Sequence, residues 1–329
     1  MNKKIIKRCE QNPILSSKDM PYESDLVFNP GVTKYKGKYL MVFRNDYGCD
    51  RDTLSFKGTN LGIAHSDDGI DWIVENEPFF TKDMITDKDF IRFYDPRLIV
   101  IEEELYMCFA IDSMHGIRGG IGRISDDLKK TEIISVSGPD NRNFVLFPEK
   151  VNGQYIRLER PMPVYGKGGK FDIWMSKSND LKYWGETKLM LGVENVPYAN
   201  DKIGPAAPPI KTDKGWLTIF YAVDRDDSRG KNGWESVWTK RYTAGIMLSE
   251  LENPSKIIGM AKEPIIVPEA IYETDNGFRN DVIFPCGMID EGDGTVKIYY
   301  GAADTVICMA TAKIDELIDL CLGKNDCNL

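Results

Sequence analysis

The stretch that decides the fold runs from residue 38 to residue 72 and contains KYLMVFR (38–44) and NLGIAHSDDGIDW (60–72). The first segment is an apolar and aromatic strand pattern, and the second is a strand pattern that ends in a Ser/Asp/Gly turn and a tryptophan. Outward from this pair, the same order of strand, loop, strand and polar turn returns four more times: ELYMCFA (104–110) with GIGRISDDLKK (120–130), QYIRLERP (154–161) with FDIWMSKSNDLKYW (171–184), GWLTIFYAVD (215–224) with YTAGIMLSELENP (242–254), and TVKIYYGAAD (295–304) with TVICMATAKIDEL (305–317).

This internal repeat predicts an all-β protein. The five units begin roughly 50 to 80 residues apart, a spacing compatible with four-stranded sheets arranged radially. A β-sandwich with extra strands is the main alternative, but the fivefold repetition favours a five-bladed β-propeller. The clearest helical pattern, KIDELIDLCL (313–322), predicts a short C-terminal helix. No linker or shift in composition divides the chain, so we expect one domain over residues 1–329.

Composition and charge exclude several classes of protein. With 42 Lys and Arg against 51 Asp and Glu, the net charge of −9 disfavours nucleic acid or an anionic membrane as the main partner. No apolar run is long enough for a membrane helix or a signal core, so a cytoplasmic protein is expected. The seven scattered cysteines form no C-x-x-C and are interpreted as reduced thiols. Only two histidines exist, so no metal site is expected and carboxylates must supply most acid and base chemistry.

Candidate functional residues follow from the fold, because a propeller brings loops from every blade to one end of its central channel. Polar residues at the predicted inner-strand ends are the best candidates: Asn29, Arg44, Asp95, Arg160, Asp224 and Asp304. Asp95 stands in YDPRL, where the following proline fixes the backbone as it enters a strand. It is either a general acid or a turn aspartate.

Cations concentrate in one part of this acidic chain. The segment DNRNFVLFPEKVNGQYIRLERP (140–161) contains Arg142, Asn143, Lys150, Arg157 and Arg160. These residues either form a local anion site or belong to a solvated surface. Lys202 precedes the rigid Gly/Pro-rich loop IGPAAPP and is either a ligand-facing lysine or an ordinary surface residue. No nucleotide-binding glycine motif occurs.

Taken in order along nearly the whole chain, several short segments resemble the mannoside phosphorylases of glycoside hydrolase family 130. The matching segments are VFNPGV (27–32), VFRND (42–46), YDPRL (94–98), NRNFVLFPEKVNG (141–153), RLERP (157–161), DKIGPAAPP (201–209), VIFPCG (282–287) and YYGAADT (299–305). The fold of that family, a five-bladed propeller, agrees with the repeat count.

The resemblance implies inverting phosphorolysis of a β-mannoside to α-mannose 1-phosphate and a shortened acceptor. It makes Asp95 the general acid, which passes its proton through a sugar hydroxyl. The implied phosphate ligands are Arg142, Asn143, Arg160, Lys202 and Tyr242. The implied mannose-site residues are Asn29, Arg44, Tyr94, Phe284 and Asp304. The expected partners are therefore a β-mannoside and inorganic phosphate as co-substrate, with no other cofactor, no nucleic acid and no membrane; self-association is left open.

Elementary chemistry agrees with these roles. Phosphate is already a nucleophilic anion, so cations that bind and orient it replace the second carboxylate that an inverting hydrolase needs. Asp95 must carry a proton to act as an acid, so we expect burial or a neighbouring charge to raise its pKa. Two departures from the family pattern predict a weaker phosphate clamp: Tyr221 stands where many relatives have histidine, and Asn60 where an arginine is frequent.

Two other functions remain open at the level of the sequence. A β-mannosidase would use water as nucleophile and one of four carboxylates as base: Glu149, Asp224, Asp226 or Asp304. A glycan-binding propeller without catalysis is the other alternative. The sequence decides neither the linkage of the mannoside nor the acceptor sugar.

Overall fold

A computed structural model of the protein describes residues 5–163, 170–229, 233–235 and 238–324. Its strands form five antiparallel sheets, each of four or five strands, arranged as the blades of a ring. The predicted five-bladed β-propeller is therefore confirmed. The second and third strands of every blade coincide with the five sequence pairs that predicted the fold.

In blades 1 to 3 the strands pair in chain order, from the innermost to the outermost. Blade 5 takes its outermost strand from the beginning of the described chain, β1 (Lys7–Arg8). Blade 1 consists of β2 (Leu26–Tyr35), β3 (Lys38–Asp50), β4 (Ser55–Ser66) and β5 (Ile73–Val74). Blade 2 consists of β6 (Phe90–Ile101), β7 (Glu104–Ser113), β8 (Gly116–Ile124) and β9 (Thr131–Val136). Blade 3 consists of β10 (Asn141–Leu146), β11 (Tyr155–Pro161), β12 (Ile173–Ser178) and β13 (Gly185–Leu191).

Blade 4 is the five-stranded sheet. It consists of β14 (Lys202–Pro205), β15 (Ile210–Thr212), β16 (Gly215–Arg225), β17 (Lys240–Ser249) and β18 (Ile257–Met260). Blade 5 adds β19 (Ile283–Asp290), β20 (Thr295–Ala302) and β21 (Val306–Lys313) to β1. The helices are α1 (Ile271–Thr274) and α2 (Ile314–Cys321), with single 3₁₀ turns at Ser17–Asp19, Lys82–Met84, Val193–Asn195 and Asp227–Arg229. Helix α2 confirms the predicted C-terminal helix.

The ring closes by pairing strands from opposite ends of the described chain. Lys7 pairs with Thr311 and Arg8 with Ala310, so β1 completes the sheet of β21. The Arg8 guanidinium also donates to the carboxylate of the buried Glu273, with Nε to Oε1 at 2.8 Å. This charge-assisted contact fixes the closing strand to the segment before β19.

Polar turns give three blades the same outer corner. Ser66, Ser125 and Ser178 each donate a hydroxyl hydrogen bond to an aspartate two residues later, at 3.0, 2.7 and 3.2 Å. Those aspartates accept backbone N–H groups of the following turn, as in an Asx turn. The Ser/Asp pattern that recurs in the sequence is therefore a structural device and not a catalytic one.

The innermost strands of blades 1 to 3 share a bulge that matters for the site. The register shifts between Phe28 and Gly31 in β2, between Tyr94 and Arg97 in β6, and between Arg142 and Val145 in β10. Each bulge contains one residue in the left-handed region: Asn29 (φ 52°), Asp95 (φ 54°) and Asn143 (φ 59°). Asn and Asp tolerate this conformation better than other residues with a side chain, which accounts for their presence here.

Blade 1 and blade 2 come very close at the first of these bulges. A Cβ atom on Gly31 would lie 2.8 Å from the Pro96 carbonyl oxygen and 2.9 Å from the Cα of Arg97. Both atoms belong to the backbone, so no side-chain rotation can make room. Gly31 is therefore required by the approach of β2 to the strand that carries Asp95.

We predict that Gly31→Ala destabilises the protein by about 1–3 kcal/mol, because it overpacks two backbones. Gly185→Ala is the matched control, since an added Cβ there has nothing within 4 Å, and it should change stability by less than about 0.5 kcal/mol. Urea unfolding followed by tryptophan fluorescence measures both. Equal free energies of unfolding for the two variants would contradict the close approach.

Two further observations bear on the sequence-based expectations. None of the helices in the described residues is long and apolar enough to cross a membrane. The six cysteines in the described ranges are unpaired thiols, and Cys327 lies outside those ranges.

Candidate active site

The centre of the site is the Asp95 carboxylate, which lies at the inner edge of blade 2 and is 6% exposed. Asn29 on β2 donates its Nδ2 to Asp95 Oδ1 at 2.8 Å. Arg44 on β3 places Nη1 3.6 Å from the same oxygen and is itself held by Asp46, with Nη2 to Oδ2 at 2.6 Å. Blade 1 thus supplies both the amide and the guanidinium that fix the carboxylate of blade 2.

The electrostatic surroundings of Asp95 correct one expectation. Burial raises the pKa of this carboxyl, but the charges of Arg44 and Arg97 and the hydrogen bond from Asn29 outweigh it. The pKa of Asp95 therefore lies below its ordinary value, and the prediction that it is raised is wrong. A general acid at this position needs a further negative charge nearby before it holds a proton at neutral pH.

Three basic side chains from two blades cluster together, and one of them, Arg142, acts on the Asp95 carboxylate. Arg142 on β10 and Arg160 on β11 are direct cross-strand partners, so their side chains leave the same face of blade 3. Lys202 begins β14 and interacts electrostatically with both. In the described part of the chain none of the three has a carboxylate within ion-pair distance, whereas Arg157 pairs with Glu159 at 2.7 Å.

The pKa of Lys202 is lowered by its surroundings. Burial, together with the positive charges of Arg160, Lys240 and Arg142, lowers the pKa of the Lys202 ammonium to about 6. The Lys202 amine is then largely uncharged at neutral pH. An anion bound beside it would favour the ammonium form, so the cluster takes up a proton as it takes up an anion.

An aromatic wall lines the cation cluster. Tyr221 and Tyr242 stack with ring centroids 5.9 Å apart, and Phe284 lies 4.9 Å from Tyr221. Lys202 Nζ lies 5.3 Å from the centre of the Tyr242 ring, where a cation–π interaction partly replaces lost hydration. The Tyr221 hydroxyl lies 2.6 Å from Asn143 Nδ2, within hydrogen-bond distance.

Two further carboxylates, Asp112 and Asp304, bind side chains near Asp95. Tyr94 donates its hydroxyl to Asp112 at 2.8 Å and accepts Arg142 Nη1 at 3.2 Å. Asp304, in the turn between β20 and β21, contacts Arg279 Nη1 at 3.3 Å. Burial is the main reason why the pKa of the Asp304 carboxyl is raised.

All eleven residues predicted for the site therefore belong to one connected group at the hub. They are Asn29, Arg44, Tyr94, Asp95, Arg142, Asn143, Arg160, Lys202, Tyr242, Phe284 and Asp304. Their individual roles stay predictions, which the next subsection takes up.

Other candidates lie elsewhere. Asp224 pairs with Arg229 at 2.5 Å and does not reach Asp95. Lys150 pairs with Glu102 on the surface, and Arg157 pairs with Glu159 behind β10. Asn60, one of the two departures from the family pattern, accepts a hydrogen bond from Asn45 at 3.0 Å.

Sequence reasoning missed some residues of this site. Arg97 stands in the same YDPRL segment as Asp95, but it was interpreted only as part of a strand. Tyr221 was noted only as a departure, although its hydroxyl faces Asn143 and its ring completes the aromatic wall. Arg279 follows Phe278 in a segment without any recognised motif, and only the folded chain brings it to Asp304.

Comparison with known proteins decides the family. A family profile described as beta-1,4-mannooligosaccharide phosphorylase matches residues 2–322. The chain belongs to glycoside hydrolase family 130. Among curated members of family 130, a 1,2-beta-oligomannan phosphorylase of Thermoanaerobacter sp. strain X514 is 31% identical, and the match covers 95% of this chain and 98% of that protein. A beta-1,4-mannooligosaccharide phosphorylase of Ruminococcus albus is also 31% identical, with 96% and 91% covered.

A solved structure extends the comparison to three dimensions. The beta-1,2-mannobiose phosphorylase of Listeria innocua, in complex with beta-1,2-mannobiose, superposes with a TM-score of 0.80 at 26% identity and covers 98% of this chain and 99% of that one. Family 130 thus includes relatives named for both β-1,2 and β-1,4 linkages.

The low pKa of Lys202 generates a prediction about proton uptake. Because phosphate favours the ammonium, its binding at about pH 7.5 should take up more protons in the wild type than in Lys202→Arg, whose guanidinium is charged throughout. For the same reason, phosphate affinity should fall as pH rises above the pKa of free Lys202. Calorimetric titration with phosphate in two buffers of different ionisation enthalpy gives the number of protons.

The difference between the two proteins isolates Lys202, since the ionisation of phosphate itself and of Asp95 contributes to both. Lys202→Met serves as a second variant, which removes the charge and should weaken phosphate binding. Identical proton uptake by wild type and Lys202→Arg would show that Lys202 is already charged before phosphate is added.

Proposed function

We propose that this protein is an inverting β-mannoside phosphorylase, which releases α-mannose 1-phosphate from a β-mannosyl disaccharide or oligosaccharide. The observation that carries the proposal is the group of three basic residues without a carboxylate partner in the described chain, Arg142, the buried Arg160 and Lys202, of which Arg142 acts on the Asp95 carboxylate. Unpaired buried cations are costly unless an anion joins them. Membership of family 130 and the names of its relatives support phosphate as that anion.

The roles follow from the chemistry of each group. Arg142, Asn143, Arg160, Lys202 and Tyr242 hold and orient phosphate, with the guanidinium groups presenting paired donors to its oxygens. Asn29, Arg44, Tyr94, Phe284 and Asp304 line the mannose subsite. Asp95 is the general acid.

The reaction then balances as follows. An oxygen of phosphate forms a bond to the anomeric carbon while the bond from that carbon to the glycosidic oxygen breaks. The proton of Asp95, passed through a sugar hydroxyl, reaches the departing oxygen, and the proton that the attacking hydrogen phosphate gives up reprotonates Asp95 for the next turnover. Bound phosphate also offsets the charge of Arg142, one of the cations that keep Asp95 ionised, so the acid gains its proton when its co-substrate is present.

Hydrolysis by the same site is disfavoured. An inverting hydrolase requires a carboxylate base that faces water on the opposite side of the sugar. Glu149 contacts Lys211 at 2.5 Å on the surface, Asp224 pairs with Arg229, and Asp226 is exposed and accepts hydrogen bonds from Ser228. Asp304 is the one of the four near Asp95, and Arg279 holds it.

The deciding experiment is incubation with β-1,2- and β-1,4-linked mannobiose, each with and without inorganic phosphate. Mannose 1-phosphate should form only when phosphate is present, and its anomeric configuration, determined by NMR, should be α. Equal release of free mannose under both conditions would instead identify a mannosidase. The faster of the two disaccharides also gives the linkage.

Arg160 generates a second test. Arg160→Ala removes a charge-assisted contact worth about 1.5–3 kcal/mol, which corresponds to a roughly 10- to 100-fold higher KM for phosphate. The KM for the mannoside should change far less. Lys150→Ala is the matched control, because it removes a surface cation from the same segment and should leave the KM for phosphate unchanged. Steady-state assays with varied phosphate measure both variants, and a wild-type phosphate dependence in Arg160→Ala removes this residue from the site.

A cytoplasmic location stays a prediction from the sequence.

A further inference from the structure

Arg97 is a buried arginine at the hub to which the proposed mechanism assigns no role. It lies on β6 directly after Pro96, two residues beyond Asp95, and is 1% exposed. An arginine buried to this degree is normally paired with a carboxylate. Arg97 has no such ion pair with any residue in the described ranges, so its charge must be explained by what it contacts.

The contacts of Arg97 join three blades. Its Nη1 donates to the backbone carbonyl of Asp95 at 2.6 Å, and its Nε donates to the backbone carbonyl of Ala206, just after β14, at 3.0 Å. Its guanidinium carbon lies 5.2 Å from the centre of the Phe284 ring on β19. One planar group thus fixes blade 2 relative to blades 4 and 5 at the level of the acid.

The first of these contacts restrains a strained conformation. Asp95 lies in the left-handed region at φ 54°, within a bulge. A non-glycine residue holds this conformation only when its surroundings over-determine it. The bond from Arg97 to the Asp95 carbonyl supplies that restraint and keeps the carboxylate directed toward Asn29 and Arg44.

The second effect of Arg97 is electrostatic. Groups from blades 1, 2, 3 and 5 face the Asp95 carboxylate: Asn29, Arg44, Tyr94, Arg97, Arg142, Cys286 and Asp304. Arg44 is shared with Asp46, and in the proposed mechanism Arg142 is shared with phosphate. Among the described residues, Arg97 is the cation in this set that forms no ion pair with another carboxylate. It is also not one of the residues proposed to bind phosphate.

We propose that Arg97 is a positioning residue for Asp95, which holds the backbone of the acid-bearing bulge and supplies a permanent positive charge behind its carboxylate. This proposal rests on the role of Asp95 as the general acid. Arg97 is not one of the residues proposed to bind phosphate. It therefore acts on the proton transfer step and not on phosphate binding.

The decisive variant is Arg97→Met, assayed across pH at saturating phosphate. An acid is active while protonated, so activity falls as pH rises through its pKa. Without the Arg97 charge the carboxylate is less favoured, and the alkaline fall of kcat/KM for the mannoside should move to higher pH. The maximal kcat should fall roughly 10- to 100-fold because the acid is misplaced, while the KM for phosphate stays within about threefold.

Arg157→Met is the matched control. Arg157 is also buried, at 5% exposure, but pairs with Glu159 and does not contact Asp95. Its loss should lower the free energy of unfolding but should not change the pH at which kcat/KM falls on the alkaline side. The proposal is overturned if the alkaline fall of kcat/KM occurs at the same pH in Arg97→Met as in the wild type. It is also overturned if this fall moves equally in Arg157→Met.

Arg97→Lys keeps the proposal testable if Arg97→Met fails to fold. A lysine retains a cation but lacks the planar fork that reaches both carbonyls, so kcat should fall while the KM for phosphate is preserved. Wild-type kcat in Arg97→Lys overturns the proposal.

Failure of the proposed function would look different. Wild-type protein that yields mannose and no mannose 1-phosphate contradicts the phosphorylase, yet the comparison of alkaline limbs remains valid, because hydrolysis at this site also requires the acid.

Discussion

The site depends on one constraint: basic side chains where the blades meet outnumber the carboxylates that could pair with them. Five basic residues form this group: Arg44, Arg97 and Arg142 act on the Asp95 carboxylate, and Arg160 and Lys202 interact with Arg142. Among the described residues, Arg44 is the one of the five that forms a close ion pair with another carboxylate, that of Asp46. Aromatic rings face several of the cations; Arg160 lies 5.1 Å from the centre of Phe171, and Lys202 lies 5.3 Å from that of Tyr242. Rings replace only part of the lost hydration, so these positive charges favour the binding of an anion.

Local patterns in the sequence predicted the middle strands of each blade well. Strands such as β3 and β7 are continuous apolar runs, and β-propensity together with the turn residues identifies them without tertiary information. The innermost strands were harder, since the bulges at Asn29, Asp95 and Asn143 interrupt the alternation that marks a strand. The pairing of β1 with β21 has no local signal, because it depends on closure of the whole ring.

The site was predictable in composition but not in electrostatics. The residue types and their order along the chain identified the site residues through the family resemblance. Chemistry alone did not distinguish whether Asp95 is a general acid or a turn aspartate. The direction of its pKa could not be foreseen, because the deciding charges, on Arg44 and Arg97, reach it through folding. Arg97 escaped notice for the same reason, since its partner Ala206 is more than a hundred residues away.

Closure of the ring by Lys7 and Arg8 against Thr311 and Ala310 has a consequence for biosynthesis. During translation the early blades can form as they leave the ribosome, but β1 has no strand to pair with until β21 has been made. Asp304, in the turn before β21, is also among the last site residues to be synthesised. Closure of the ring, and with it the final placement of Asp304, therefore comes after the other described blades have been synthesised.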